Sequence, residues 1–128
     1  MIHLDTSFLI GAAVSGSLED RLLRRWLRGR ETVRVSSIVW AEFLCGPVSD
    51  WVAEEAAELF GEPVVFDGID ATLAAQLFNV AGRRRGTMID SMIAAIAIRA
   101  HATLATGNVA DFRRFAPLGL SITSRGSS

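Results

Sequence analysis

Four carboxylates stand where a carboxylate is costly to keep. Asp5 ends the apolar run Ile2-His3-Leu4. Glu42 has Ile38, Val39 and Cys45 as its helical neighbours at −4, −3 and +3, so it projects from an apolar face. Asp90 opens a segment in which Ile89, Met92, Ile93, Ile96, Ala97 and Ala100 recur at helical spacing. Asp111 follows the apolar Leu104-Ala105 through Thr106-Gly107-Asn108. Each also has an ordinary reading. Asp5 is a good helix N-cap, and Asp90 suits the positive end of a helix. Glu42 can reach water or an Arg from the margin of its face, and Asp111 can sit in a surface turn. The remaining acids, Asp67 and Asp70 among them, fit polar faces, turns and caps.

If the four converge in one crevice, they repel one another and their pKa values rise. A hard divalent ion such as Mg²⁺ or Mn²⁺ relieves that crowding, because it takes oxygen ligands and keeps several waters. The reaction best served is phosphodiester hydrolysis, in which such an ion polarises the phosphate and activates water. Other chemistries lack their residues. Cys45 is the single cysteine, which excludes an internal disulfide and a cysteine-rich zinc site, and its neighbour Leu44 suggests a core position. His3 and His101 have no partner at metal-ligand spacing, and no Ser-His-Asp or Cys-His set is present.

The elements that must position these acids alternate along 128 residues, a length that fits one domain. Half the residues are apolar, enough for a sizeable core. Strands are expected at Ile2–Leu4, Val33–Val35, Val64–Phe66 and Thr103–Ala105, with a fifth within Leu118–Thr123. Helices are expected after the caps Ser17, Ser36 or Ser37, Ser49 or Asp50, and Asp70, and again across Ile89–Ala100. Strands alternating with helices imply a mainly parallel sheet of four or five strands, covered on both faces. Residues 1–123 form the domain and 124–128 a short tail. No apolar run is long enough to span a membrane and the N-terminus lacks a basic leader, so the chain reads as cytoplasmic.

The net charge is −1, which by itself does not suggest a nucleic-acid binder. All 13 basic residues are Arg, however, and they cluster at Arg21–Arg34 and at Arg83-Arg84-Arg85. Local patches attract phosphate even when the total charge cancels. The Arg21–Arg28 set reads as a solvated helix face. Arg83, Arg84 and Arg85 suit contact with RNA phosphates or with an acidic partner, or equally a solvated helix end. Trp26 reads as core, while Trp40 and Trp51 suit an interface.

Taken in order, L-D-T-S at Leu4–Ser7, the Glu in S-S-I-V-W-A-E-F-L, I-D-S-M-I-A-A at Ile89–Ala95 and L-A-T-G-N-V-A-D-F at Leu104–Phe112 resemble the signatures of PIN-domain ribonucleases, nearest to the VapC-type toxins of toxin–antitoxin pairs. The resemblance implies a three-layer α/β/α sandwich and a Mg²⁺- or Mn²⁺-dependent endoribonuclease. It implies Asp5, Glu42, Asp90 and Asp111 as the catalytic quartet. Asp5 and Asp90 would touch the metal directly, with Glu42 and Asp111 acting directly or through water. Thr6, Ser7, Thr106 and Asn108 match the accessory polar positions. It further implies a homodimer, a VapB-like antitoxin that joins it in a hetero-oligomer, and operator DNA met only through that antitoxin. Two other readings compete. A haloacid-dehalogenase-like phosphatase also opens with a strand-end Asp, but it needs a second Asp where Ser7 stands. A non-catalytic partner that helps its antitoxin repress operator DNA needs no acidic set.

Overall fold

The computed structural model describes residues 1–124. The first strand, β1 (Ile2–Leu4), is buried along its whole length and lies inside the sheet. It pairs in parallel with β2 (Val33–Val35) on one side and β3 (Thr103–Thr106) on the other. The last strand, β4 (Ser121–Ser124), adds to β3, giving the order β2-β1-β3-β4 with every pairing parallel. A short parallel strand covered on both faces reads as continuously apolar, which is why Ile2, Leu4, Val33, Val35, Leu104 and Ala105 are all buried.

Helices cover the sheet and complete a three-layer α/β/α sandwich. Between β1 and β2 run α1 (Thr6–Ala12) and α2 (Leu18–Arg28). Ser17 caps α2 by accepting from the Asp20 N–H at 2.9 Å, and Leu22 and Leu23 turn inward. Trp26 of α2 stacks on Phe8 of α1, with ring centroids 5.4 Å apart. After β2 come α3 (Ser37–Cys45), α4 (Asp50–Phe60), α5 (Gly68–Val80) and α6 (Met88–Arg99). Serines cap the first two as expected, Ser36 holding the Val39 N–H and Ser49 the Val52 N–H. The α6 helix is the most enclosed: Ser91 and the run Ile93–Ala97 are buried, and α5, α3 and β3 pack against it. Its small residues Ala94, Ala95 and Ala97 allow that close approach. The short α7 (Val109–Phe112) and a 3₁₀ turn (Arg113–Leu118) lead from β3 to β4. Among the described residues, no helix is long and apolar enough to cross a membrane.

Several expectations change. Val64–Phe66 is not a strand: it makes a single bridge, Ser36 to Val64. The chain leaves β2 for α3 at once, so the pairing edge ends, and the Phe66 N–H turns to the Ser37 hydroxyl instead. Asp67, not Asp70, is the N-cap of α5; Asp70 is the third helical residue and returns a bond to Asp67 N–H, closing a capping box. Cys45 is exposed rather than in the core, because it lies at the end of α3. Ile89 is 44 % exposed, since the first turn of α6 runs past the core edge. Of the tail expected at 124–128, Ser124 belongs to β4 and residues 125–128 lie outside the described residues.

Candidate functional site

The register of the sheet decides what surrounds Asp5. Leu4 pairs with Ala105, and the Asp5 N–H donates to the Ala105 carbonyl, so the ends of β1 and β3 stay side by side. Asp5 is 2 % exposed. Its carboxylate caps α1, with Oδ1 accepting from the Phe8 N–H at 2.8 Å. The Ser7 hydroxyl donates to Oδ1 at 2.9 Å, and the Thr106 hydroxyl donates to Oδ2 at 2.5 Å. The cap reading therefore holds, yet the hydroxyls do more than a cap needs. Thr106 Oγ1 also accepts from the Asn108 N–H, and Ser7 Oγ accepts from the Gly107 N–H. One hydroxyl network thus joins the loop after β1 to the loop after β3.

Glu42 lies on α3, half-buried, and its Oε1 accepts from the Thr6 hydroxyl at 2.5 Å. Thr6 follows Asp5 directly, which brings Glu42 to the same crevice. Asp90, in the first turn of α6, is half-buried. It does not serve as a cap: its hydrogen-bond partner is Arg114, whose Nη2 lies 3.4 Å from Oδ2. Asp111 and Asn108 are exposed, on and just before α7. Arg83, Arg84 and Arg85 are exposed on the α5–α6 loop, which leads into the first turn carrying Asp90.

The electrostatics link the four acids. Burial raises the pKa of Asp5; the Thr106, Phe8 and Ser7 hydrogen bonds oppose the rise, and the Glu42 charge adds to it. Burial also raises the pKa of Asp90, partly offset by Arg114, while the charges of Asp111, Glu42 and Asp5 push it further. Asp90 thus lies within the electrostatic reach of all three other carboxylates, and that reach joins the residue that follows β1 to residues of α3, α6 and α7. Among the described residues, however, no three His, Cys, Asp or Glu side chains form a ready cage for a metal ion. The donor set is all oxygen, carboxylates and hydroxyls, which fits a hydrated hard cation held by one or two carboxylates rather than a closed cage.

Arg114 is the residue that the sequence reading missed. It stands three positions after Asp111, the spacing that puts two side chains on one helical face, and that was the available signal. Elsewhere, a groove of about 650 Å³ is lined by Leu9, Leu23, Phe43, Trp51, Leu59 and Phe60 among others, and by none of the four acids. Trp51 is 66 % exposed there, while Trp40 tilts against Phe43 and is half-buried.

The PIN domain model matches residues 2–117. No curated protein matches the chain by sequence. Solved structures match along almost the whole chain. VapBC2 from Rickettsia felis, bound to a DNA fragment from its promoter, is 23 % identical with a TM-score of 0.77, covering 97 % of this chain and 98 % of the other. FitAcB from Neisseria gonorrhoeae is 20 % identical with a TM-score of 0.76, covering 98 % and 99 %. VapBC-1 from nontypeable Haemophilus influenzae is 25 % identical with a TM-score of 0.66, covering 99 % and 100 %.

Proposed function

The chain belongs to the PIN-domain family, and from that premise we propose that it is a metal-dependent endoribonuclease acting as the toxin of a toxin–antitoxin pair. PIN domains are nucleases as a class, and the similar structures include a toxin–antitoxin complex from Klebsiella pneumoniae. The observation that carries the reading to residues is the set of contacts that holds the acids in place: Thr106 and Ser7 on Asp5, Thr6 on Glu42 and Arg114 on Asp90. Burial and neighbouring negative charge raise the pKa of Asp5 and of Asp90, a cost that a bound cation would relieve.

Asp5 and Asp90 would hold Mg²⁺ or Mn²⁺ directly, with Glu42 and Asp111 acting through water. A divalent ion bound there supplies charge stabilisation to a phosphate and lowers the pKa of water. The rest of the work falls to the chain. The Phe8 N–H and the Ser7 and Thr106 hydroxyls fix the orientation of the Asp5 carboxylate. Thr6 fixes Glu42 in the same way. Asn108 and the run Arg83–Arg85 are suited to meet the RNA strand beside the acids. Because the net charge is −1, steering of RNA rests on such local patches.

The antitoxin partner is assigned to the groove beside Trp51, whose apolar wall suits an amphipathic segment. A homodimer, and operator DNA met through the antitoxin only, complete the proposal. Incubation of the purified protein with RNA and Mg²⁺ tests it. Cleavage is expected to stop in EDTA, and to fall at least about 100-fold in Asp5→Asn and Asp90→Asn. Cleavage that persists in EDTA or survives both substitutions removes the assignment.

A further inference from the structure

Arg114 is placed unlike the chain's surface arginines. Its side chain is only 16 % exposed, yet among the described residues it makes one long hydrogen bond, to Asp90 Oδ2 at 3.4 Å. Arg carries five N–H donors in a planar fork, so one loose bond leaves most of that fork unused. The unused nitrogens are not sealed in the core: among the described residues, the one buried side-chain polar atom without a partner is His3 Nε2. The guanidinium is also held in position. Its Cζ lies 4.6 Å from the ring centroid of Phe115, which is itself fully buried and packed against Phe112. A fixed, nearly buried cation with free donors beside a carboxylate cluster is suited to bind an anion that arrives later.

We propose that Arg114 binds the scissile RNA phosphate, using the free N–H groups of its guanidinium on the non-bridging oxygens. This rests on the nuclease reading above. RNA supplies an anion with two coplanar acceptor oxygens, which matches the Arg fork better than it matches an ammonium. Before RNA binds, the same guanidinium partly neutralises Asp90. The alternative is that Arg114 serves only to neutralise or position Asp90, and the two roles give different results.

The test compares the parent with Arg114→Gln and Arg114→Lys, the latter keeping the charge and most of the stem over Phe115. Three quantities are measured: melting temperature, Mn²⁺ affinity of the protein alone by calorimetry, and cleavage of bulk transfer and ribosomal RNA at saturating Mg²⁺. Phosphate binding predicts that Arg114→Gln loses about 100-fold in kcat/KM, the scale of one lost oxyanion donor. Arg114→Lys recovers only part of that loss. Mn²⁺ affinity stays equal or becomes tighter in both, because a cation has left or moved from Asp90. Cleavage by Arg114→Gln within threefold of the parent overturns the proposal. So does a loss of cleavage that tracks weaker Mn²⁺ binding, which assigns Arg114 to positioning Asp90. If Arg114→Gln melts too low to assay, the lysine variant decides: full activity there overturns the requirement for the fork. A parent protein that cuts no RNA removes the nuclease reading itself, a result distinct from all of these.

Discussion

His3 and Asp5 lie two residues apart, both buried, and each titrates away from its ordinary range in the folded protein. Burial, with Arg34 and the N-terminal ammonium adding, lowers the His3 pKa to about 4. Unfolded, the imidazole titrates near 6.5, so between those values the unfolded chain holds a proton that the folded chain refuses. Stability from this group therefore falls as the pH drops from 6.5 toward 4, by up to about 3 kcal/mol across the full window. In urea titrations, His3→Leu is expected to lose less stability than the parent over that range; parallel profiles would exclude His3 as the cause. Asp5 has the opposite sign. Its folded pKa is raised, so the folded carboxyl keeps its proton longer, and stability is lost as the pH rises through 3.8 and beyond. Asp5→Asn removes that burden while keeping an oxygen for the Phe8 N–H. Without divalent ions at neutral pH it is expected to melt a few degrees higher than the parent, as it loses cleavage. A lower melting temperature in EDTA would show that hydrogen bonding at Asp5 outweighs its desolvation.

Elements depend on caps as much as on apolar stripes. Ser36 is buried at the start of α3; its hydroxyl holds the Val39 N–H at 3.1 Å, and α3 carries Glu42. Ser36→Ala is expected to cost about 1 kcal/mol, read from the urea midpoint at unchanged slope. Such caps were legible in the sequence because a cap is satisfied within three residues. The Asp67–Asp70 pair misled because both residues suit a cap three positions apart; the other failures depend on tertiary placement. Val64-Val65-Phe66 has strand composition, but a strand needs a neighbour's backbone, and β2 turns into α3 before a second bridge can form. Ile89 follows the periodicity of α6, but periodicity does not say where the core ends. Cys45 ends an apolar helix that stops at the surface.

At the scale of the whole molecule, the acids and the groove lined by Trp51 are separate features. In the proposal above the groove receives the antitoxin, with the exposed Trp51 and Leu59 on its wall. Trp51→Glu is expected to weaken antitoxin binding at least tenfold while leaving melting and RNA cleavage near those of the parent. The small effect on folding follows from the exposure of Trp51. Loss of cleavage together with antitoxin binding would mean that groove and acids act as one surface.

The sequence by itself determined the alternation of strands and helices, the capping serines, the apolar character of β1 and α6, and the four acids as candidates. All of these depend on residues within about four positions of one another, where helical or extended geometry dictates the neighbours. Only the tertiary structure decided which groups meet. Thr106 reaches Asp5 because Leu4 pairs with Ala105 in the sheet. Thr6 reaches Glu42 because α1 packs on α3. Arg114 reaches Asp90 because the turn after α7 brings it back to the start of α6. Charge acts through space, and the distances that govern it follow from sheet register and helix packing, which no local spacing encodes.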